Sequence, residues 1–139
     1  MNWIFWSLLS ALFAAATAIL AKIGVAHVDS NLATAIRTTV VVIFAWAIAL
    51  ALGKHGEIRQ VDRQAWVFLT LSGLATGLSW LCYFRALQLG PASRVAPLDK
   101  LSVVLVMVFA VILLGEKMSP MAMLGGVLIA SGAVVMVLA

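Results

Sequence analysis

The chain has 139 residues, of which 65% are hydrophobic and only 10% charged, whereas soluble domains run about half apolar and a quarter charged. A water-soluble fold is excluded, because a core of this size cannot bury two thirds of its own chain; the lipid bilayer is the solvent. The formal net charge is +4, but the basic residues are scattered among apolar runs and form no stripe, which argues against nucleic acid as a partner. Cys82 stands alone, so there is no intrachain disulfide and no thiolate metal cluster, and within its apolar run it reads as a packing residue.

A helix that crosses the hydrocarbon needs roughly 20 mainly apolar residues. Five segments meet that test, at about 3–24, 31–52, 66–89, 92–115 and 120–138. The fold class this predicts is all-α integral membrane, with one domain over 1–139. The first segment lacks the basic start of a signal peptide and runs on to Lys22, so it reads as a retained span. Its Ser7, Ser10, Ala14, Thr17 and Ala21 form a small, partly polar stripe. Asp29, Ser30 and Asn31 are N-cap types just before the second span, and Gly53 and Gly56 end it. The link 54–64 holds His55, Glu57, Arg59, Asp62 and Arg63 and reads as a solvated loop. Gly90-Pro91 stops the third span. Ser119-Pro120 opens the fifth, with Met118 and Met123 at the spacing of a hydrophobic staple. Neither His27 nor His55 has partners at metal-ligand spacing, so no metal and no cofactor is expected.

Orientation follows the side richer in lysine and arginine. Lys54, Arg59, Arg63 and Lys117 fall on one side; Lys22 and Arg94 fall on the other, joined by Arg37 and Arg85 if charges within the spans count. So weak a bias fits either chance in a small protein or a chain that inserts in both orientations.

The residues that invite chemistry lie inside the spans. Asp99 and Lys100 are about seven residues into the fourth, hence roughly 10 Å deep. On insertion scales each costs up to about 3 kcal/mol at the helix centre. Neighbours on a regular helix point about 100° apart, so each is expected to need its own partner or a wet cavity; Arg37 and Arg85 are the candidate partners for Asp99. Pro97, two residues earlier, predicts a kink that frees backbone carbonyls. Ser79, Trp80 and Tyr83 on the third span can stack on and hydrogen-bond a ligand, although core aromatics are the commoner case. Together these eight residues form the candidate substrate or ion pathway. A structural ion pair fixing helix register, with Arg85 snorkelling to headgroups, is the competing reading. Gly73 and Gly77 on the third span, and Ala122, Gly126, Ala130 and Ala133 on the fifth, mark faces where helices can pack closely. Glu116 reads as structural.

The run LSWLCYFRALQLGPAS from Leu78 to Ser93, LLGEKMS from Leu113 to Ser119 and LGG from Leu124 to Gly126 resembles the EamA domain of the drug/metabolite transporter superfamily, over essentially the whole chain. The stretch Ala96-Pro97-Leu98-Asp99-Lys100-Leu101-Ser102 further resembles its short single-domain bacterial and archaeal branch. The resemblance implies a multi-pass protein of the cell membrane. Most members pair two such domains in inverted orientation. With only one here, it implies a dimer with a second copy or a close paralogue, the copy upside down, as alternating access commonly uses. Larger members usually lack the charged pair, so their substrate contacts are not carried over.

Two functions follow as expectations. The first is a secondary transporter of a small polar or amphipathic metabolite, working as an antiparallel dimer with Asp99 as a proton or cation site. The second is an accessory subunit whose buried charges dock on another membrane protein, without transport. Buried side chains that are mostly cationic lean toward an anionic or zwitterionic substrate. No nucleophile with a base and no phosphate-binding loop supports an enzyme.

Overall fold

The computed structural model describes residues 2–138. All regular structure among them is helical: α1 Trp3–Gly24, α2 Ser30–Ala51, a 3₁₀ helix Lys54–Gln60, α3 Arg63–Leu89, α4 Ala92–Asp99, α5 Leu101–Leu114 and α6 Pro120–Leu138. By length and hydropathy these make five candidate spans, the fourth being α4 and α5 together. In a bilayer every backbone polar group must find an internal partner, and an uninterrupted helix provides that within one segment. Hydroxyls follow the same rule. Thr34, Thr38, Thr39, Thr76 and Ser131 each donate to the carbonyl four residues back, at 2.8–3.0 Å.

Helix ends follow local chemistry. Asp29 accepts from the amides of Asn31 and Leu32 at 2.9 and 3.1 Å, which starts α2 one residue ahead of the sequence boundary. Asp62 accepts from the Ala65 amide at 2.9 Å. That cap starts α3 at Arg63, three residues before the position expected from hydropathy. Gly53 and Gly115 take left-handed φ values of 68° and 67°, the conformation glycine adopts without a Cβ penalty. At the end of α5 the amides of Gly115 and Glu116 both turn back to the Ala110 carbonyl, the latter at 3.1 Å, which closes the helix. Ser119 accepts from the Ala122 amide at 3.2 Å and starts α6. The link after α2 is not an irregular loop: it winds into the exposed 3₁₀ turn, pinned by a 2.6 Å Lys54–Glu57 ion pair.

The chain divides into two compact units, Met1–Lys22 with Leu89–Ala139, and Ile23–Gln88. In the first, α6 packs against both α4 and α5. Gly126 and Ala133 are buried there, and a Cβ on Gly126 would meet Met107 Cε and Sδ at 3.0 Å. Met107, Met118 and Met123 line an apolar groove of about 410 Å³. In the second unit Val25, Ser30, Thr34, Phe84 and Leu87 are buried.

Two packing expectations fail within the chain. A Cβ on Gly73 or Gly77 would have nothing within 4 Å, so the glycine face of α3 is open, and Cys82 on the same helix is exposed. Ala122 is exposed and Ala130 half-buried. Long apolar side chains on all five spans are exposed as well, as surface solvated by lipid tails requires.

Candidate functional site

In the unit Ile23–Gln88, the chemistry gathers on α2 and α3. Arg37 lies seven residues after Ser30, roughly 10 Å into its span, where an unaccompanied arginine costs about 2.5–3.5 kcal/mol. Its guanidinium carbon sits 4.1 Å above the centroid of the Trp80 ring and 5.4 Å from that of Phe84. Both lie within the 6 Å at which a cation is attracted to an aromatic face. Phe84 is buried at 3% exposure and fixes the wall on which the guanidinium rests. Tyr83 follows Trp80 by three positions, is half-buried, and its hydroxyl is near enough to Arg37 to interact electrostatically. Of the third-span candidates the fold thus brings Trp80 and Tyr83 together with Arg37, while Ser79 is exposed.

Arg85 has a different task. It donates to Gln88 Oε1 at 3.1 Å. The Gln88 amide in turn donates to the carbonyls of Val28 at 2.6 Å and Val25 at 3.4 Å. This chain of bonds ties the α1–α2 link to the end of α3 and satisfies carbonyls that no helix ladder reaches. Gln88 was missed in the sequence; its one signal was an amide side chain just ahead of the Gly90-Pro91 stop. Beside α2, a groove of about 430 Å³ is lined by Asn31, Thr34, Thr38, Gly77 and Leu81 among others.

In the other unit, the fourth span is broken at the charge pair. Pro97 has no amide to donate, and the ladder resumes through three-residue bonds, from the Lys100 amide to the Pro97 carbonyl and from the Val103 amide to the Lys100 carbonyl, both 3.0 Å. Lys100 sits at φ −71°, ψ −6°, between two helices rather than inside one. The break corrects the expectation that Asp99 and Lys100 cannot face each other. Off the regular helix, Lys100 Nζ reaches Asp99 Oδ2 at 3.5 Å, so Asp99 pairs with its neighbour instead of an arginine. The Asp99 and Lys100 side chains remain 38% and 57% exposed, a polar spot just ahead of the apolar run of α5. At the start of the same span, Lys22 Nζ donates to the Gly90 carbonyl at 2.9 Å, so this lysine is a cap rather than a free loop charge.

Five long apolar helices with back-bonded hydroxyls and charges concentrated at one break and one aromatic shelf define a multi-pass membrane protein. Comparison with known proteins narrows the class. The model of the EamA-like transporter family matches residues 1–138. A protein of Sinorhizobium sp described as an uncharacterized transporter in the cobO 3' region is 54% identical over 135 residues, covering 97% of this chain and 96% of the relative. No solved structure matches the chain. The chain belongs to the EamA-like transporter family, and membrane transport is its function class.

Proposed function

We propose that this protein is a secondary transporter of a small polar or amphipathic metabolite, working as a dimer of two copies, or of one copy and a close paralogue, inserted in opposite orientations. The observation that carries the reading is the Asp99–Lys100 pair. It lies roughly a third of the way into a span, at a break in the backbone ladder, and is exposed on its own chain. An intramembrane pair left open to hydrocarbon is costly, so it calls for a wet cavity or a complementary surface. A second copy facing it supplies either. Broken helices near the bilayer midplane are where secondary transporters hold substrate and coupling ions. In that arrangement Asp99 carries the coupling proton or cation and Lys100 holds the carboxylate in place between turnovers.

The test is reconstitution in proteoliposomes under an imposed pH gradient, following internal pH with a trapped dye while small solutes are offered. Asp99→Asn is expected to uncouple solute from proton movement, and Lys100→Ala to slow both. Wild-type flux and coupling in both variants would remove the roles assigned here.

A further inference from the structure

Arg37 is an intramembrane charge that the transport reading leaves unused, and its surroundings say what it would hold. The guanidinium of Arg37 lies with its carbon 4.1 Å over the Trp80 ring and 5.4 Å from Phe84. A guanidinium presents two kinds of surface: a flat face that stacks on aromatics, and an edge carrying five N–H donors in a rigid fork that matches a carboxylate or phosphate. The contact with Trp80 is a cation–π attraction and not a hydrogen bond, so it uses none of the fork's five donors. Among the described residues, Arg37 has neither an ion pair nor a side-chain hydrogen bond to occupy that fork. The acids of its own unit are committed elsewhere, Asp29 to the α2 amides, Glu57 to Lys54 and Asp62 to the Ala65 amide. The nearby hydroxyls of Thr34 and Thr38 donate to their own helix. Tyr83, three residues after Trp80, interacts with Arg37 electrostatically, and a phenol is a donor type that an anion accepts.

The geometry points to an oxyanion site: Arg37, held against Trp80 and Phe84, binds a carboxylate or phosphate group by its guanidinium fork. The aromatic wall thins the water around the fork, and a charge-assisted bond strengthens as water is excluded. Naming this group as the cargo's anionic end rests on the transporter reading; the binding step does not. The same chemistry has two sources inside a membrane, a free solute or a lipid headgroup phosphate, and the experiment separates them.

Trp80 is itself the reporter. With Trp3, Trp6, Trp46 and Trp66 replaced by phenylalanine, the full-length protein in phosphatidylcholine nanodiscs is titrated with sodium phosphate and sodium acetate, with sodium chloride and tetramethylammonium chloride as ionic-strength controls. A saturable change in Trp80 emission is expected with phosphate or acetate and not with the controls. Arg37→Lys, which keeps the charge without the fork, is expected to weaken binding about tenfold, Arg37→Gln to abolish it, and Tyr83→Phe to weaken it about threefold. Gel filtration checks each variant, and if Arg37→Gln does not stay monodisperse, the other two carry the comparison. In nanodiscs containing phosphatidylglycerol, an emission already shifted without added phosphate, and relaxed by Arg37→Lys, upholds the site with the headgroup as occupant. No saturable change in either lipid, or an equal change in the Arg37 variants, overturns it. Oxyanion binding without flux in proteoliposomes counts against the transporter reading alone. Flux of an uncharged or cationic solute with a silent Trp80 overturns this site and leaves that reading standing.

Discussion

The two units treat their intramembrane charges in opposite ways. Within Ile23–Gln88, polar side chains have neighbours close by: Arg37 lies on Trp80 and Phe84 with its donors unpaired among the described residues, Gln88 on two link carbonyls, Thr34 and Thr38 on their own helix. Among the described residues, the Asp99–Lys100 pair of the fourth span bonds only within itself, at 3.5 Å, and stays exposed. A stacked guanidinium needs no second protein to be tolerated in hydrocarbon. An exposed ion pair in hydrocarbon calls for a wet cavity or a complementary surface, so the two charged regions differ in what each still lacks.

The contrast can be broken by substitution. The largest effect is expected at the pair: Asp99→Leu leaves Lys100 without its carboxylate, and coupled flux in proteoliposomes should fall at least about tenfold, the equivalent of about 1.4 kcal/mol, while Asp29→Ala keeps wild-type flux. Next, Gln88→Leu strands the Val28 carbonyl, and thermal unfolding in detergent should reveal a loss of about 1–3 kcal/mol. Trp80→Leu should cost about 0.5–2 kcal/mol by removing the shelf under Arg37; an unchanged melting temperature would show that the stacking contributes nothing. Asp29→Ala should cost about 1 kcal/mol by removing the α2 cap.

The alanine substitutions with the smallest expected effects fall at the glycines. Gly126→Ala meets the flexible end of Met107, which can shift, so about 1 kcal/mol or less is expected, while Gly126→Leu overpacks by about 1–3 kcal/mol. Gly77→Ala meets nothing within its chain and should stabilise the isolated protomer by up to about 1 kcal/mol through helix propensity. A drop in dimer fraction with Gly77→Ala, read by crosslinking in native membranes, would place the second copy on the α3 face.

The spans were legible because length and hydropathy suffice to define a helix that lipid surrounds, and the caps at Asp29 and Ser119 because N-cap chemistry is local. Asp62 looked like one charge among several in a wet loop, yet it caps α3, since a cap is recognised by the amide it faces and not by composition. Pro97 announced a kink, but the rule that neighbours diverge by about 100° assumes an unbroken helix, and the break at Lys100 sets it aside. The Arg37–Trp80 stack depends on how α2 and α3 meet, and no spacing within either helix encodes that register. Of the eight candidate pathway residues, Arg37, Trp80 and Tyr83 gather in one place, Pro97, Asp99 and Lys100 in another, Arg85 joins a structural clamp and Ser79 stands exposed.

The central claim is the inverted pair, and the most direct measurement is membrane topology read at the C-terminus by two fusions, one to a reporter active only in the cytoplasm and one to a reporter active only outside it. An inverted pair of identical chains, which the weak lysine and arginine bias accommodates, predicts substantial signal from both. Strong signal from one fusion alone, in cells that express no related chain, would contradict an antiparallel homodimer.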